Sequence, residues 1–176
     1  MTTALTPTFI AFGGNLGDPV ATLRRALPML NECVGEIVKL SSLYETRALT
    51  LNGTTQPNYV NAVIEARSGK DADSILRELL TIERDLGRDR SPDKRWEPRT
   101  IDLDLLFVGD TVVSTPPLSL PHPEIAKRDF VVDPLAEIAP DLLHPILGKS
   151  MRHLAAELSQ SGGERFIVRT IPFEWR

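Results

Sequence analysis

Two aspartates one residue apart carry the strongest chemical signal in this chain. In Thr100-Ile101-Asp102-Leu103-Asp104-Leu105-Leu106-Phe107, the period-2 alternation of a strand puts Asp102 and Asp104 on one face and Leu103 and Leu105 on the other. At ~3.3 Å rise per residue their Cα atoms lie roughly 6.6 Å apart, close enough for both carboxylates to reach one ion. Two carboxylates within an apolar strand oppose its packing and repel each other. A hard cation removes both objections, and Mg²⁺ typically binds through one or two carboxylates together with substrate phosphates. The other reading, equally open on the pair alone, is a solvated sheet edge with both side chains in water.

The residues just before the pair favour the first reading. Arg84, Arg88, Arg90, Lys94, Arg95 and Arg99 face only Asp85, Asp89, Asp93 and Glu97. That small basic excess is too weak for a nucleic-acid patch, but guanidinium forks beside a carboxylate–metal pair suit phosphate oxygens and phosphoryl transfer. Trp96 stands in the same polar stretch with no periodic apolar neighbours, as an anchor, a lid or a flank-packing ring. Tyr59 and Asn61 share one face of another strand and offer a stacking surface and an amide for a ring edge. His122, between Pro121 and Pro123, has little backbone freedom; His144 and His153 lack partners at metal spacing. Gly13, Gly14 and Gly17 fit neither phosphate-loop pattern and read as a tight turn that brings backbone near a ligand.

The elements that must position these groups follow from periodicity. Residues 8–12 read as a buried strand running into the Gly13–Gly17 turn; Asp18 offers an N-cap and Pro19 a first helical residue. Val20, Leu23, Leu27 and Leu30 then mark a helix ending near Cys33. Ile37 to Glu45 reads as a second strand and Tyr59 to Ala66 as a third. Asp71 to Leu86 carries an apolar stripe and stops at Gly87. Thr100 to Val108 is a fourth strand, turned by Gly109-Asp110 into Thr111–Ser114. Helical pieces are expected over 123–139 and 150–160, and a short strand near Phe166–Arg169. The order strand, helix, strand, strand, helix, strand is the split βαβ pattern of a ferredoxin-like α+β fold.

The 176 residues suit one domain, taken as 1–176, with a proper core. A formal charge of −4 argues against nucleic acid as partner. There is no apolar run of membrane-spanning length and no charged segment ahead of an apolar stretch at the start, so neither a membrane anchor nor a secretory leader is expected. Cys33 is the sole cysteine, which rules out an intrachain disulfide and fits a cytoplasmic location.

Taken together, the segments Phe12-Gly13-Gly14-Asn15-Leu16, Ser42-Leu43-Tyr44-Glu45-Thr46, Tyr59-Val60-Asn61-Ala62, Ile82-Glu83 with Gly87-Arg88, Arg95 through Asp104, Leu120-Pro121-His122-Pro123, Lys127-Arg128-Asp129-Phe130 and Pro134-Leu135 resemble the 6-hydroxymethyl-7,8-dihydropterin pyrophosphokinase family of folate biosynthesis. The resemblance implies a ferredoxin-like βαββαβ core with extra helices and a short C-terminal strand, a three-layer α-β-α sandwich. It implies transfer of the whole pyrophosphoryl group of ATP, leaving AMP, when the pterin hydroxymethyl oxygen attacks the β-phosphorus. On that likeness Asp102 and Asp104 hold two Mg²⁺ ions, and Arg88 and Arg99 neutralise the moving group. Glu83, Ser119, His122 and Arg128 contact ATP together with those arginines. Tyr59 and Phe130 sandwich the pterin, Asn61 and the main chain near Thr46 and Leu49 read its edge, and Trp96 closes over it. A monomer working on these two small molecules is expected.

The chain departs from the family pattern at Gly14 (usually serine), Arg47 (often proline), Glu97 (usually small) and Pro117 (in some members an ATP-contacting arginine). The loops around Gly53 and Ser91 are slightly longer than in compact members. Two other functions compete: a nucleotide-sugar transferase using the same paired aspartates, and a binding module without catalysis. The first leaves Tyr59, Asn61 and Phe130 unexplained; the second leaves two strand carboxylates without a purpose.

Overall fold

The computed structural model describes residues 5–48, 55–90 and 97–175. Its centre is a six-stranded sheet. Strand β1 (Thr6–Gly14) lies between β4 (Tyr59–Ser68) and β5 (Asp102–Val108), and β4 also pairs with β2 (Glu36–Leu40) and β3 (Leu43–Thr46). All these pairs are antiparallel. Helix α1 (Pro19–Cys33) connects β1 to β2, and α2 (Ala72–Asp85) connects β4 to β5. That is the ferredoxin-like βαββαβ arrangement, with the second strand broken in two.

The break falls where the sequence reads as one strand from Ile37 to Glu45. Ser41 leaves the ladder there: its N–H donates to the Val63 carbonyl at 2.9 Å, and its Oγ accepts the Val63 N–H at 2.9 Å. A hydroxyl thus replaces a backbone partner, so the turn between β2 and β3 leaves no strand group of β4 unpaired at that position.

Both long helices begin and end as the sequence signals. Asp18 accepts the Ala21 N–H at 3.0 Å and Pro19 opens α1; Asp71 accepts the Ser74 N–H at 2.7 Å ahead of α2. Gly87, with φ +89°, ends α2 in the left-handed conformation and lets the Arg88 N–H return to the Glu83 carbonyl at 2.9 Å. That reversal delivers Arg88 to the start of β5.

Beyond β5 a hairpin forms from β6 (Val113–Thr115) and β7 (Leu118–Leu120); only its first strand was legible as such. The helical stretch expected over 123–139 is a 3₁₀ turn at Ile125–Lys127 followed by α3 (Asp129–Ile138). Helix α4 (Met151–Gln160) packs on α3, and β8 (Ile167–Ile171) extends the sheet beside β3. Among the described residues no helix is long and apolar enough to cross a membrane.

Alternation along the central strands divides the core into two layers. Ile10, Phe12, Ala62, Ile64, Leu103 and Leu105 pack beneath α1 and α2, while Phe9, Val63 and Phe107 pack beneath α3 and α4. The result is helices on both sides of one sheet. Each fully buried Ile or Leu contributes ~1.5–3 kcal/mol. The β1–β5 register shifts between Phe9 and Ile10. Through that bulge Phe107 turns onto the α3 side, so the end of β5 that follows the aspartates is buried on both faces.

Candidate functional site

The face beneath α3 is covered over only part of its area. Past the edge of α3 it opens into a cleft lined by Gly13, Thr46, Arg47, Tyr59, Asn61, Arg99, Asp102, Asp104, His122, Arg128 and Phe130, among others. The sheet register sets its floor. Gly13 of β1 lies opposite Asn61 on one side and Asp102 on the other, and Ala11 lies opposite Asp104. With strands ~4.8 Å apart, one row across the sheet places the Asn61 amide and the Asp102 carboxylate on backbones about 10 Å apart, with a side chain of no size between them. A Cβ on Gly13 would stand 2.9 Å from Asn61 Oδ1, so any side chain there would displace the Asn61 amide from its place in the row.

Asn61 is buried and oriented. Its Nδ2 donates to Thr46 Oγ1 at 2.6 Å, which uses one of the amide's two donors and leaves the other N–H and the carbonyl oxygen for a ligand. Tyr59 lies two residues earlier on the same face. Burial raises its hydroxyl pKa, with the positive charge of Arg99 opposing that rise. Phe130, at the start of α3, lines the same cleft with the Arg128 guanidinium 5.7 Å from its ring centre.

Asp102 is held among guanidiniums. Arg99 Nη1 donates to its Oδ2 at 2.6 Å, Arg88 Nη2 lies 3.4 Å from Oδ1, and Arg90 Nη2 lies 3.9 Å away. Burial works against the Arg99 cation, yet Asp102, Tyr59 and Asp104 together keep its pKa above the ordinary value. Arg88 also donates from Nη1 to the Ile101 carbonyl at 2.9 Å, while its buried Nε has no hydrogen-bond partner among the described residues. Asp104 lies deeper. Burial first, and the Asp102 charge second, push its carboxyl pKa up, against the pull of His122 and Arg128.

Two carboxylates aimed at one cleft are an oxygen donor set that fits Mg²⁺ and not a softer ion. Among the described residues they are not joined into a group of three or more acidic, histidine or thiol donors. An ion held by these two carboxylates would have positions left for phosphate oxygens and water, an arrangement that suits magnesium.

Of the other residues named from sequence, His122 lines the cleft with Nδ1 accepting the Glu124 N–H at 3.3 Å, which leaves Nε2 to carry the ring proton. Glu83 does not line it. Its buried carboxylate accepts the Leu103 N–H at 2.7 Å and Arg90 Nε at 2.8 Å, tying α2 to the strand that carries the aspartates. Burial raises its pKa, with those two partners opposing the rise. Ser119 is exposed on β7 and outside the cleft lining, and Arg88 reaches the site through Asp102. Leu49 and Trp96 lie outside the described residues.

One organising residue was not legible. Asn15, buried at the end of β1, accepts the Arg99 N–H on Oδ1 at 2.8 Å and donates from Nδ2 to the Pro57 carbonyl at 3.1 Å. The Asn15 and Leu16 N–H groups both donate to the Arg99 carbonyl, at 2.9 and 3.1 Å. One side chain thus joins the approach to β4 with the approach to β5, the segments that bring in Tyr59 and Arg99. Gly14 allows this closeness, since a Cβ there would lie 2.7 Å from the Thr100 carbonyl oxygen. Its sequence trace is only the Gly-Gly-Asn run at a strand end.

Fold and site together define an α+β enzyme that brings an acidic pair, guanidiniums and a flat-ring pocket into one cleft. The chain belongs to the 7,8-dihydro-6-hydroxymethylpterin-pyrophosphokinase family, whose model matches residues 9–140. It is 39% identical over 150 residues to a 2-amino-4-hydroxy-6-hydroxymethyldihydropteridine pyrophosphokinase of Synechocystis, covering 85% of this chain and 74% of that one. It is 35% identical over 149 residues to the protein of the same name from Aquifex aeolicus, covering 85% of this chain and 90% of the relative. Among solved structures, Plasmodium falciparum HPPK-DHPS, wild type with pteroate, superposes with a TM-score of 0.71 at 16% identity over 87% of this chain. This chain spans 42% of that longer one, and the likeness there is one of fold.

Proposed function

We propose that this cleft is where the family's reaction takes place, with the whole of 1–176 acting as one pyrophosphokinase domain. The pyrophosphoryl group of ATP passes to the hydroxymethyl oxygen of 6-hydroxymethyl-7,8-dihydropterin, a step of folate biosynthesis. The new bond joins that oxygen to the β-phosphorus. The bond from the β-phosphorus to the oxygen shared with the α-phosphate breaks, AMP leaves, and the hydroxyl proton is lost.

The observation that supports the assignment best is the row Asn61–Gly13–Asp102 across the sheet, an amide and a carboxylate on one floor. Asp102 and Asp104 hold Mg²⁺, two ions in the reading the family suggests. When bound, the metal supplies charge neutralisation and draws phosphate and alcohol oxygens together. Arg99 and Arg88 already sit against Asp102 at 2.6 and 3.4 Å. With Asp102 given over to a cation, the Arg99 and Arg88 forks would be available to phosphate oxygens. The buried, unsatisfied Arg88 Nε is a donor that a phosphate oxygen satisfies. Tyr59 and Phe130 clasp the pterin ring, and Asn61 with the backbone near Thr46 reads its edge. His122 and Arg128 line the ATP side. Glu83 supports the metal strand from behind, a role the hydrogen bond to Leu103 favours over direct contact with nucleotide. Leu49 and Trp96 retain their proposed roles at the pterin edge and as a closing ring.

The working unit in this reading is a monomer, and the single cysteine fits a cytoplasmic location. Product analysis tests the proposal: with ATP, Mg²⁺ and the hydroxymethyl pterin, AMP and the pterin diphosphate form in equal amounts. ADP, or a pterin monophosphate, would overturn it.

A further inference from the structure

The pterin side of the cleft is braced by chain that lies beyond the family match at 9–140. Phe166 meets the Phe130 ring edge-on, centroids 5.9 Å apart and planes at 89°. The connection is anchored by Asp129, a buried carboxylate immediately before Phe130. Its Oδ2 accepts the N–H groups of Phe166 and Ile167 at 2.8 and 3.1 Å, and its Oδ1 accepts the Phe130 N–H at 2.8 Å. Arg165 closes the link from outside, 3.4 Å from Asp129 and 2.6 Å from Asp133. The same segment also holds Arg47, since the Arg47 N–H donates to the Phe166 carbonyl at 2.9 Å and the Arg47 guanidinium reaches the Arg165 carbonyl. Arg47 and Phe130 both line the cleft; Phe166 does not.

We infer that Phe166 is a positioning residue for the pterin: its strap fixes the tilt of the Phe130 ring and ties that ring to Arg47 of the same cleft lining. A ring that must stack on a ligand needs its own tilt fixed. The edge-on contact supplies that restraint, while Asp129 makes it stiff by spending a buried carboxylate on three backbone N–H groups. Arg47 belongs to the same device through its main chain, because a proline at that position would have no N–H to give the Phe166 carbonyl.

The inference rests on the cleft being the pterin site, and the test separates the two. Pterin binding is titrated by fluorescence in the presence of Mg²⁺ and a non-hydrolysable ATP analogue, for wild type and for Phe166→Ala, Phe166→Leu and Phe166→Tyr. The strap predicts pterin affinity about fivefold weaker in Phe166→Ala, the size an edge-on aromatic pair supports. It predicts a smaller loss in Phe166→Leu, near-complete recovery in Phe166→Tyr, and analogue affinity within twofold of wild type throughout. The leucine and tyrosine variants keep the test decisive if Phe166→Ala does not fold. Wild-type pterin affinity in Phe166→Leu and Phe166→Ala, or equal loss of both ligands, overturns the strap. Failure of the wild type itself to bind pterin overturns the cleft assignment and the strap with it.

Discussion

The two faces of the central sheet use the same strands for different ends. Beneath α1 and α2, Ile10, Phe12, Ala62, Ile64, Leu103 and Leu105 form a continuous apolar layer. On the reverse side the residues between them are Gly13, Asn61, Asp102 and Asp104, left open to a cleft. At the cleft end of β4 and β5, parity therefore separates the residues that pack beneath α1 and α2 from those that face the cleft. The rigid apolar face is what allows the polar one to hold two repelling carboxylates and a buried amide in fixed places. Substitutions should separate the faces: changes beneath the helices cost folding, and changes in the cleft cost turnover.

The largest separation is expected at Asp104. Asp104→Ala should lower kcat by at least ~10³-fold with the fold intact by circular dichroism, about 4 kcal/mol of the barrier. Turnover near wild type at saturating Mg²⁺ would remove the metal assignment. Arg99→Ala should lower kcat by ~10²–10³-fold and weaken ATP far less, as befits a group that acts on developing charge; an unchanged kcat with weakened ATP would make it a docking residue. On the opposite face, Ile64→Ala should cost about 2–5 kcal/mol by denaturant melting while the folded fraction keeps its kinetics. Loss of kcat in the protein that remains folded would break the division of labour.

Asn15→Ala sharpens the comparison at its boundary, because Asn15 ties the segments that bring Tyr59 and Arg99 to the cleft. It should lower kcat/KM about tenfold and stability by roughly 1–2 kcal/mol, since two hydrogen bonds across 84 and 42 residues are lost together. A stability change with untouched kinetics would reduce Asn15 to a loop tie.

The smallest expected effect runs the other way in sign. The pKa of Asp104 is raised by burial and then by Asp102, so it binds its proton more tightly folded than unfolded. Its charge thus costs stability at neutral pH, and the cost is relieved as pH falls through the folded-state value. In chelator-treated protein Asp104→Asn should raise the melting midpoint by roughly 2–4 °C, the shift about 1 kcal/mol gives in a chain of this size, and the gain should shrink on acidification. A lower midpoint would make this carboxylate a structural one.

Much of this division could be read from the chain. Alternation around Asp102 and Asp104 gave their common face, and the spacing of Tyr59 and Asn61 gave theirs, because parity along one strand is a local property. What escaped was non-local. The Asn15 clamp joins partners far apart in sequence, and the Gly13 row depends on register between three strands. The break at Ser41 hides in a stretch whose flanks both favour strand. For Glu83 the resemblance implied an ATP contact; its hydrogen bond to Leu103 could not be foreseen, because it exists only once α2 lies against β5.

The central claim, that Asp102 and Asp104 take up magnesium with the nucleotide, is tested most directly by calorimetric titration of a non-hydrolysable ATP analogue with and without Mg²⁺. The wild type should bind the analogue at least tenfold more tightly with the metal, and the Asp102→Asn/Asp104→Asn double variant should show no such difference. An analogue affinity in the wild type that ignores Mg²⁺, or a magnesium effect that survives loss of both carboxylates, would contradict it.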